Sequence, residues 1–244
     1  MKSIIIAIVL IASANVALAS RKACRQVTIM RALSIVDRDN QTKNDFQDVR
    51  KLYRMVCNNI NPSSDIYYDN GVKAFSVKAQ DWYFYSDKFA VLANGEGDVM
   101  YPNGIKAFSK KAVDWFYPSD KIAFLDAALT PGLEHPMYYP NGIKALSEKA
   151  RDWFYPSNKL AFLHKALGPK GSEDMFYPNG VKAYSKRADD WHYSDDTFAF
   201  MDDGSNKLET LRDLSDVRPS RLEFRRMRKL RILFTLYRID RAFN

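Results

Sequence analysis

A block opening on Asn-Gly recurs at Asn70-Gly71, Asn103-Gly104, Asn141-Gly142 and Asn179-Gly180, at intervals of 33, 38 and 38 residues. In each copy a tryptophan follows the asparagine by twelve positions: Trp82, Trp115, Trp153 and Trp191, which are all four tryptophans of the chain. Each is preceded by aspartate: Asp81, Asp114, Asp152 and Asp190. The same interval carries a lysine (Lys73, Lys106, Lys144, Lys182) and a serine (Ser76, Ser109, Ser147, Ser185). A period in this range means tandem supersecondary units, each burying its apolar face against its neighbours.

Each repeat divides again. Met100–Ser109 (MYPNGIKAFS) and Phe116–Leu125 (FYPSDKIAFL) share an aromatic residue, Tyr-Pro, a two-residue turn signal, a nearby lysine and a small-apolar alternation. In Tyr-Pro-Asn-Gly, proline sets φ for the first central turn position, asparagine accepts the second, and glycine accepts the left-handed residue that follows. That pattern predicts a three-residue hairpin loop with a bulge, flanked by strands of period two. In the second halves Asp120 and Asn158 take glycine's place, as the residue types that best tolerate positive φ after it. Terminal copies depart, with Asp69, Tyr85 and Ser194 where proline stands elsewhere.

The predicted fold is therefore mainly β, an elongated antiparallel array of about eight short β-hairpins in four double-hairpin repeats. An N-terminal helical hairpin and a C-terminal helix flank it. Sixteen strands in one open sheet are expected to coil, because twisted open sheets rarely exceed about ten. In Trp115-Phe116-Tyr117 the tryptophan and tyrosine point one way and the phenylalanine the other, so both faces carry apolar groups. The length variation falls in linkers such as 127–136, which marks them as surface loops; the fragments Ala-Ala-Leu and Lys-Ala-Leu there suit one helical turn.

YPNG followed by an aromatic-rich strand resembles the exported YPNG-repeat proteins of bacteria and, more distantly, MORN and YwqK-type hairpin repeats. The resemblance covers about Tyr67 to Asp203. The several glycines that MORN repeats carry per unit are missing. The MORN resemblance implies a meandering antiparallel sheet that binds partners or lipid surfaces; YwqK-type proteins are antitoxins, a role that fits an exported chain poorly.

The flanks read differently. Met1-Lys2, the apolar run over residues 3–12 and the small residues Ala17-Leu18-Ala19 have the layout of a secretory signal with cleavage before Ser20; the run is short for a membrane span. The domain plan is thus a signal peptide at 1–19, a helical cap at 20–65, the hairpin repeats at 66–203 and a basic C-terminal helix at 204–244. Export to the periplasm or beyond is the expected location. The only cysteines, Cys24 and Cys57, are expected to pair in an oxidising compartment.

Helices are predicted around 23–36, with Val27, Met30 and Leu33 inward, and over 42–57, capped by Thr42 with Asp45 three residues on. Stapled together, they are expected to cover the first edge of the sheet. Ser220 and Glu223 form a capping box for a helix in which Met227, Leu230, Leu233, Phe234 and Tyr237 recur at helical spacing among many arginines. Residues 218–244 hold nine Lys/Arg against Glu223 and Asp240. This helix is expected to cap the far end of the array, its middle lacking a clean polar face, and to bind liposomes weakly; a membrane-surface or partner-binding helix is the alternative.

The net charge of +8 is uneven. Residues 20–65 carry 9 basic and 5 acidic residues, 66–203 carry 16 and 19, and 204–244 carry 11 and 5. Basic character belongs to the flanks, which disfavours nucleic acid as a partner. The tryptophans form either a packed ladder or a candidate binding row for glycans or peptides, the ladder being the stronger reading. The lysine row reads as edge protection before contact with an anionic polymer. His135, His164 and His192 lack metal-ligand spacing, no catalytic motif is present, and no catalytic residue, cofactor or metal is assigned. These features predict a non-enzymatic exported scaffold that binds a protein partner in the cell envelope or outside it. The alternative is a module binding anionic membrane or glycan through the basic tail and aromatic rows.

Overall fold

The computed structural model describes residues 21–59, 62–129, 135–147, 152–163, 173–204, 206–217 and 220–243. The predicted signal segment and His164 lie outside them, as does the Lys-Ala-Leu fragment at 165–167. The chain divides into two compact parts, residues 1–123 and 124–244.

The N-terminal part begins with helix α1, residues 21–36. Val27, Met30 and Leu33 are fully buried, as their spacing predicts, together with Ile29 and Val36. Helix α2, Lys43–Asn58, starts where Thr42 Oγ1 accepts the Asp45 backbone N–H at 3.1 Å. This satisfies one of the amides that a helix start leaves open. Val49, Leu52 and Val56 turn inward. A disulfide joins Cys24 to Cys57 and staples the two helices. The pair does not sit on the first strand edge alone. Helix α1 reaches Gly95 and Glu96 near its start, and Asp37 just past its end accepts the Ser119 backbone N–H at 2.8 Å.

Four strands follow: β1 (Ile66–Tyr67), β2 (Lys73–Ser76), β3 (Asp81–Tyr83) and β4 (Phe89–Leu92), with α2 against β3. They form a four-stranded antiparallel sheet in chain order. The second repeat supplies β5 (Val99–Met100), β6 (Lys106–Ser109), β7 (Asp114–Phe116) and β8 (Ile122–Leu125), the last straddling the boundary between the parts. The third gives β9 (Met137–Tyr138), β10 (Lys144–Leu146), β11 (Asp152–Phe154) and β12 (Leu160–Leu163). The fourth gives β13 (Met175–Phe176), β14 (Lys182–Ser185), β15 (Asp190–His192) and β16 (Phe198–Met201). Strands β5 to β16 follow one another in a twelve-stranded order. The predicted array is thus divided after β4, and the second sheet, at twelve strands, still exceeds the roughly ten that twisted open sheets usually reach.

The turns form for the reasons read in the sequence. Gly71 N–H donates to Tyr68 O at 3.0 Å and Tyr68 N–H to Val72 O at 2.8 Å, which is a type I turn closed by a bulge. Gly71, Gly104, Gly142 and Gly180 hold φ between 80 and 93°. Asp87, Asp120, Asn158 and Asp196 hold φ of 60–67° at the matching place in the second halves. The connections between the paired hairpins use another device. Ser76 Oγ accepts the Ala79 N–H at 3.3 Å while Ser76 O accepts the Gln80 N–H at 2.8 Å. Ser109 and Ser185 repeat it, and the last loop residue is left-handed each time: Gln80 at 57°, Val113 at 59°, Asp189 at 56°. Valine is the outlier, because a branched Cβ crowds the carbonyl in that region.

Beyond β8, Asp126–Leu129 forms one 3-10 turn, the Ala-Ala-Leu turn anticipated above, with Ala128 and Leu129 buried. The expected single C-terminal helix is two: α3, Lys207–Val217, and α4, Arg221–Phe243. Helix α4 starts after Ser220, whose carbonyl accepts the Phe224 N–H at 3.0 Å; the Glu223 side chain lies outside the described residues. Nor does α4 cap the far end. Phe234 meets the Trp153 ring at 5.2 Å and the Phe162 ring at 5.9 Å, so it lies over the third repeat and beside the 3-10 turn. Helix α3 covers the last repeat instead, with Lys207 Nζ 3.5 Å above the Tyr184 ring centre. The sequence signal for α3 was the spacing of Leu208, Leu211 and Leu214, of which Leu211 and Leu214 are buried.

Candidate functional site: the two faces of the hairpin repeats

Register places the rings. Phe75 opposes Trp82, and Phe108 opposes Trp115. Leu146 opposes Trp153, which in turn opposes Phe162, and Tyr184 opposes Trp191, which opposes Phe200. Each tryptophan therefore lies in a cross-strand row of apolar groups on one face. None of the four is a surface platform: Trp115, Trp153 and Trp191 are fully buried and Trp82 is 2 % exposed. The candidate binding row is the packed ladder. Trp191 also donates its Nε1–H to Asp202 Oδ1 at 2.8 Å. Asp202 in turn pairs with Lys207 at 2.7 Å. Burial alone raises the Asp202 carboxyl, but these two donors hold it below its ordinary value.

The tyrosine that opens the turns shares the buried side. Tyr101, Tyr117, Tyr139, Tyr155 and Tyr177 are at most 1 % exposed. Tyr68, Tyr101, Tyr139 and Tyr177 donate their hydroxyl hydrogens to the carbonyls of Tyr83, Phe116, Phe154 and His192, at 2.8–3.0 Å. Tyr155 makes the same bond across a repeat boundary, to Phe176 O at 2.8 Å. Burial pushes the hydroxyls of Tyr101 and Tyr117 well above their ordinary pKa, so they remain donors. The turn asparagines act in parallel. Asn70, Asn103, Asn141 and Asn179 each bind the backbone N–H two residues on through Oδ1. Each also donates from Nδ2 to a carbonyl in the partner turn of the same repeat, at 2.7–3.1 Å. Asn-Gly thus shapes its own turn and ties it to the next.

The opposite face is open. Tyr67 is 55 %, Ile122 42 % and Phe198 57 % exposed, with Leu125 and Met201 beside them. The lysine row lies here, Lys73 opposite Tyr67, Lys106 opposite Met100 and Lys182 opposite Phe176. These three lysines are paired, to Asp65, Asp98 and Asp174, at 2.6 Å each. The same aspartates accept the backbone N–H groups of Val77, Lys110 and Lys186 at 2.8 Å. The lysine hydrogen bond lowers the Asp65 and Asp98 carboxyls. An aspartate eight residues before each lysine was the sequence signal for this clamp. The third repeat lacks it, having Pro136 there, and Lys144 lies 6.0 Å from the Tyr138 ring centre instead.

Asp81, Asp114, Asp152 and Asp190 neither cap a turn nor remain fully solvated. One carboxylate oxygen of each is buried without a hydrogen bond, and burial raises the Asp152 carboxyl above its ordinary value. In the last repeat His192 Nε2 lies 3.3 Å from Asp190 Oδ1. His135 is half-buried. Among the described residues no three His, Cys, Asp or Glu side chains group as a metal site, and no helix is long and apolar enough to cross a membrane.

The fold defines a mainly β tandem-hairpin protein with flanking helices, one sheet face buried and the other presented. No protein-family model, no curated protein and no solved structure matches the chain.

Proposed function

We propose that the chain is a non-enzymatic scaffold, exported to the periplasm or beyond, whose open sheet face binds a protein partner. The observation that carries this reading is the set of exposed apolar side chains on the open face of the twelve-stranded sheet, Ile122, Leu125, Phe198 and Met201. Ile122 and Leu125 of β8 stand at the same strand positions as Phe198 and Met201 of β16, while the opposite face is used by the core. A presented row of large apolar groups marks an interaction surface more often than a passive one. The Asp–Lys clamps supply a polar rim around it, the usual anatomy of a protein interface. The Cys24–Cys57 bond supports an oxidising compartment. The YPNG-type resemblance supports export.

Photo-crosslinking in the producing cell tests this. A photoreactive residue at Ile122 or Phe198 is expected to yield a discrete protein adduct, and one at exposed Lys78 is not. With the photoreactive residue at Ile122, serine at Leu125, Phe198 and Met201 together should abolish the adduct while leaving the melting curve unchanged. Equal adducts from Ile122, Phe198 and Lys78 would refute the reading.

A further inference from the structure

Helix α4 uses one face to cover the third repeat. Leu230, Leu233, Phe234 and Leu236 are at most 4 % exposed and carry that contact. The other face is not the mixed surface expected from the sequence. Arg221, Arg225, Arg228, Arg231 and Arg238 are all exposed. At 100° per residue Arg221, Arg228 and Arg231 fall on the side opposite the buried leucines, while Arg225 and Arg238 flank it, the Arg238 guanidinium lying 5.8 Å from the Phe234 ring centre. The row runs for about 25 Å at 1.5 Å per residue. From Phe224 to Arg238 the sequence contains no aspartate or glutamate. None of the five guanidinium groups forms an ion pair among the described residues. They differ in this from the lysines of the open sheet face, three of which are neutralised by an aspartate.

One apolar side chain stands within this row. Phe224 is 45 % exposed and lies on the same side as Arg221, Arg228 and Arg231. A row of cations alone fits any polyanion. A phenylalanine set between arginines gains from an anionic surface that also offers hydrocarbon beneath its charges, which a lipid bilayer does and a hydrated polymer does not.

We infer that the outward face of α4 is a docking surface for an anionic phospholipid membrane, with the arginines on the headgroups and Phe224 at the acyl boundary. The helix therefore joins the sheet by one side and a bilayer by the other. This goes beyond the proposed protein scaffold and uses a different surface.

Vesicle co-sedimentation of the full mature chain tests it. Vesicles of phosphatidylcholine alone and of phosphatidylcholine with 30 % phosphatidylglycerol serve as probes, each at low and at physiological salt. The wild type should pellet with the anionic vesicles and not with the neutral ones, more weakly at the higher salt because exposed charges are screened beyond a Debye length of about 8 Å. R225E/R228E/R231E should reduce the partition coefficient at least tenfold with an unchanged melting temperature. F224S should reduce it severalfold and remove most of the binding that survives added salt. Three results would overturn the inference: no pelleting with anionic vesicles, pelleting unaffected by the triple charge reversal, or binding to a soluble polyanion as strong as to vesicles with F224S without effect.

Discussion

Two helical pairs lie on this protein, α1–α2 in the N-terminal part and α3–α4 in the C-terminal part, and they are built on different physics. Helix α1 has no exposed residue from Ala23 to Asp37. It is bonded covalently to α2 and anchored by polar groups, Gln26 on Gly95 O and Asp37 on the Ser119 amide. Helix α4 has no covalent tie among the described residues and is held by ring edges, with Phe234 on Trp153 and Phe162. Its solvent side carries arginine after arginine. The comparison teaches that covering a sheet commits only one side of a helix. Where both sides are consumed, as in α1, the element is wholly structural; where one is left over, its composition is available for another task.

The largest expected effect breaks the C-terminal contact. Phe234→Ala removes a ring that is 4 % exposed and should cost about 3–5 kcal/mol. Denaturant dependence of amide hydrogen exchange in the third repeat, with all four buried tryptophans kept, reads this directly. Loss of under about 1 kcal/mol would mean that α4 does not hold the third repeat. Next, Cys24→Ser with Cys57→Ser should cost about 3–4 kcal/mol, because the bond closes a loop with 33 residues of separation. Amide hydrogen exchange in the N-terminal part should shift, and in the C-terminal part should not. If both shift equally, the two parts unfold as one and the contrast between the helical pairs has no energetic counterpart.

Two turn substitutions sharpen the picture on a smaller scale. Gly142→Val puts a branched side chain at φ 80° and should destabilise by more than about 1 kcal/mol, although the space around it is open. Lys144→Ala nearby should stay within about 0.5 kcal/mol. Val113→Asn relieves the opposite error at φ 59° and should stabilise by about 1 kcal/mol, as thermal melting would register. A neutral Val113→Asn together with a neutral Gly142→Val would mean that the loops relax more freely than their geometry indicates.

The smallest effect concerns acid. Glu96 links Lys22 of α1 to Lys110, and hydrogen bonds from Lys110 and Lys22 hold its carboxyl at about 2 rather than 4.5. A carboxyl whose folded pKa is depressed stabilises fully above its unfolded value and loses that contribution as pH falls through the folded one. Melting temperature should therefore decline between about pH 4.5 and pH 2. Glu96→Gln should flatten part of that decline. Both side chains of the pair are half exposed, so the change is modest. An identical decline in Glu96→Gln would show that Glu96 does not anchor α1.

The hairpins were legible because their signals are local. Asn-Gly and Ser-Asp state the sign of φ directly, and alternation states which side chain faces the core. The Thr42 cap and the inward Val27, Met30 and Leu33 were legible for the same reason. What escaped is set by distance. The Asp98–Lys106 clamp needs two strands in register before an aspartate and a lysine eight residues apart become neighbours. The place of α4 over Trp153 is a long-range contact, and sequence spacing gives no direction for it. Helix α3 was absorbed into one long tail because charge, the strongest signal there, does not mark a break. The arginine face escaped because Ile232 and Leu236 flank it in sequence, while half-burial of one and full burial of the other remove both from the solvent side.

The tyrosine hydroxyl bond has a consequence for how such a chain lengthens. Tyr139 reaches Phe154 within the third repeat and Tyr155 reaches Phe176 in the fourth, by the same atoms at 2.9 and 2.8 Å. At the border of the third and fourth repeats the seam is chemically the same joint as the one inside the third, whereas at the first border Phe84 stands in the place of Tyr155 and has no hydroxyl to donate. A gene segment encoding the third repeat, duplicated in frame, would place at both of its new borders the partners those borders already use. No compensating mutation is needed for the added copy to be received, so the number of repeats is open to change by recombination alone, while the helices that finish the two parts stay as they are.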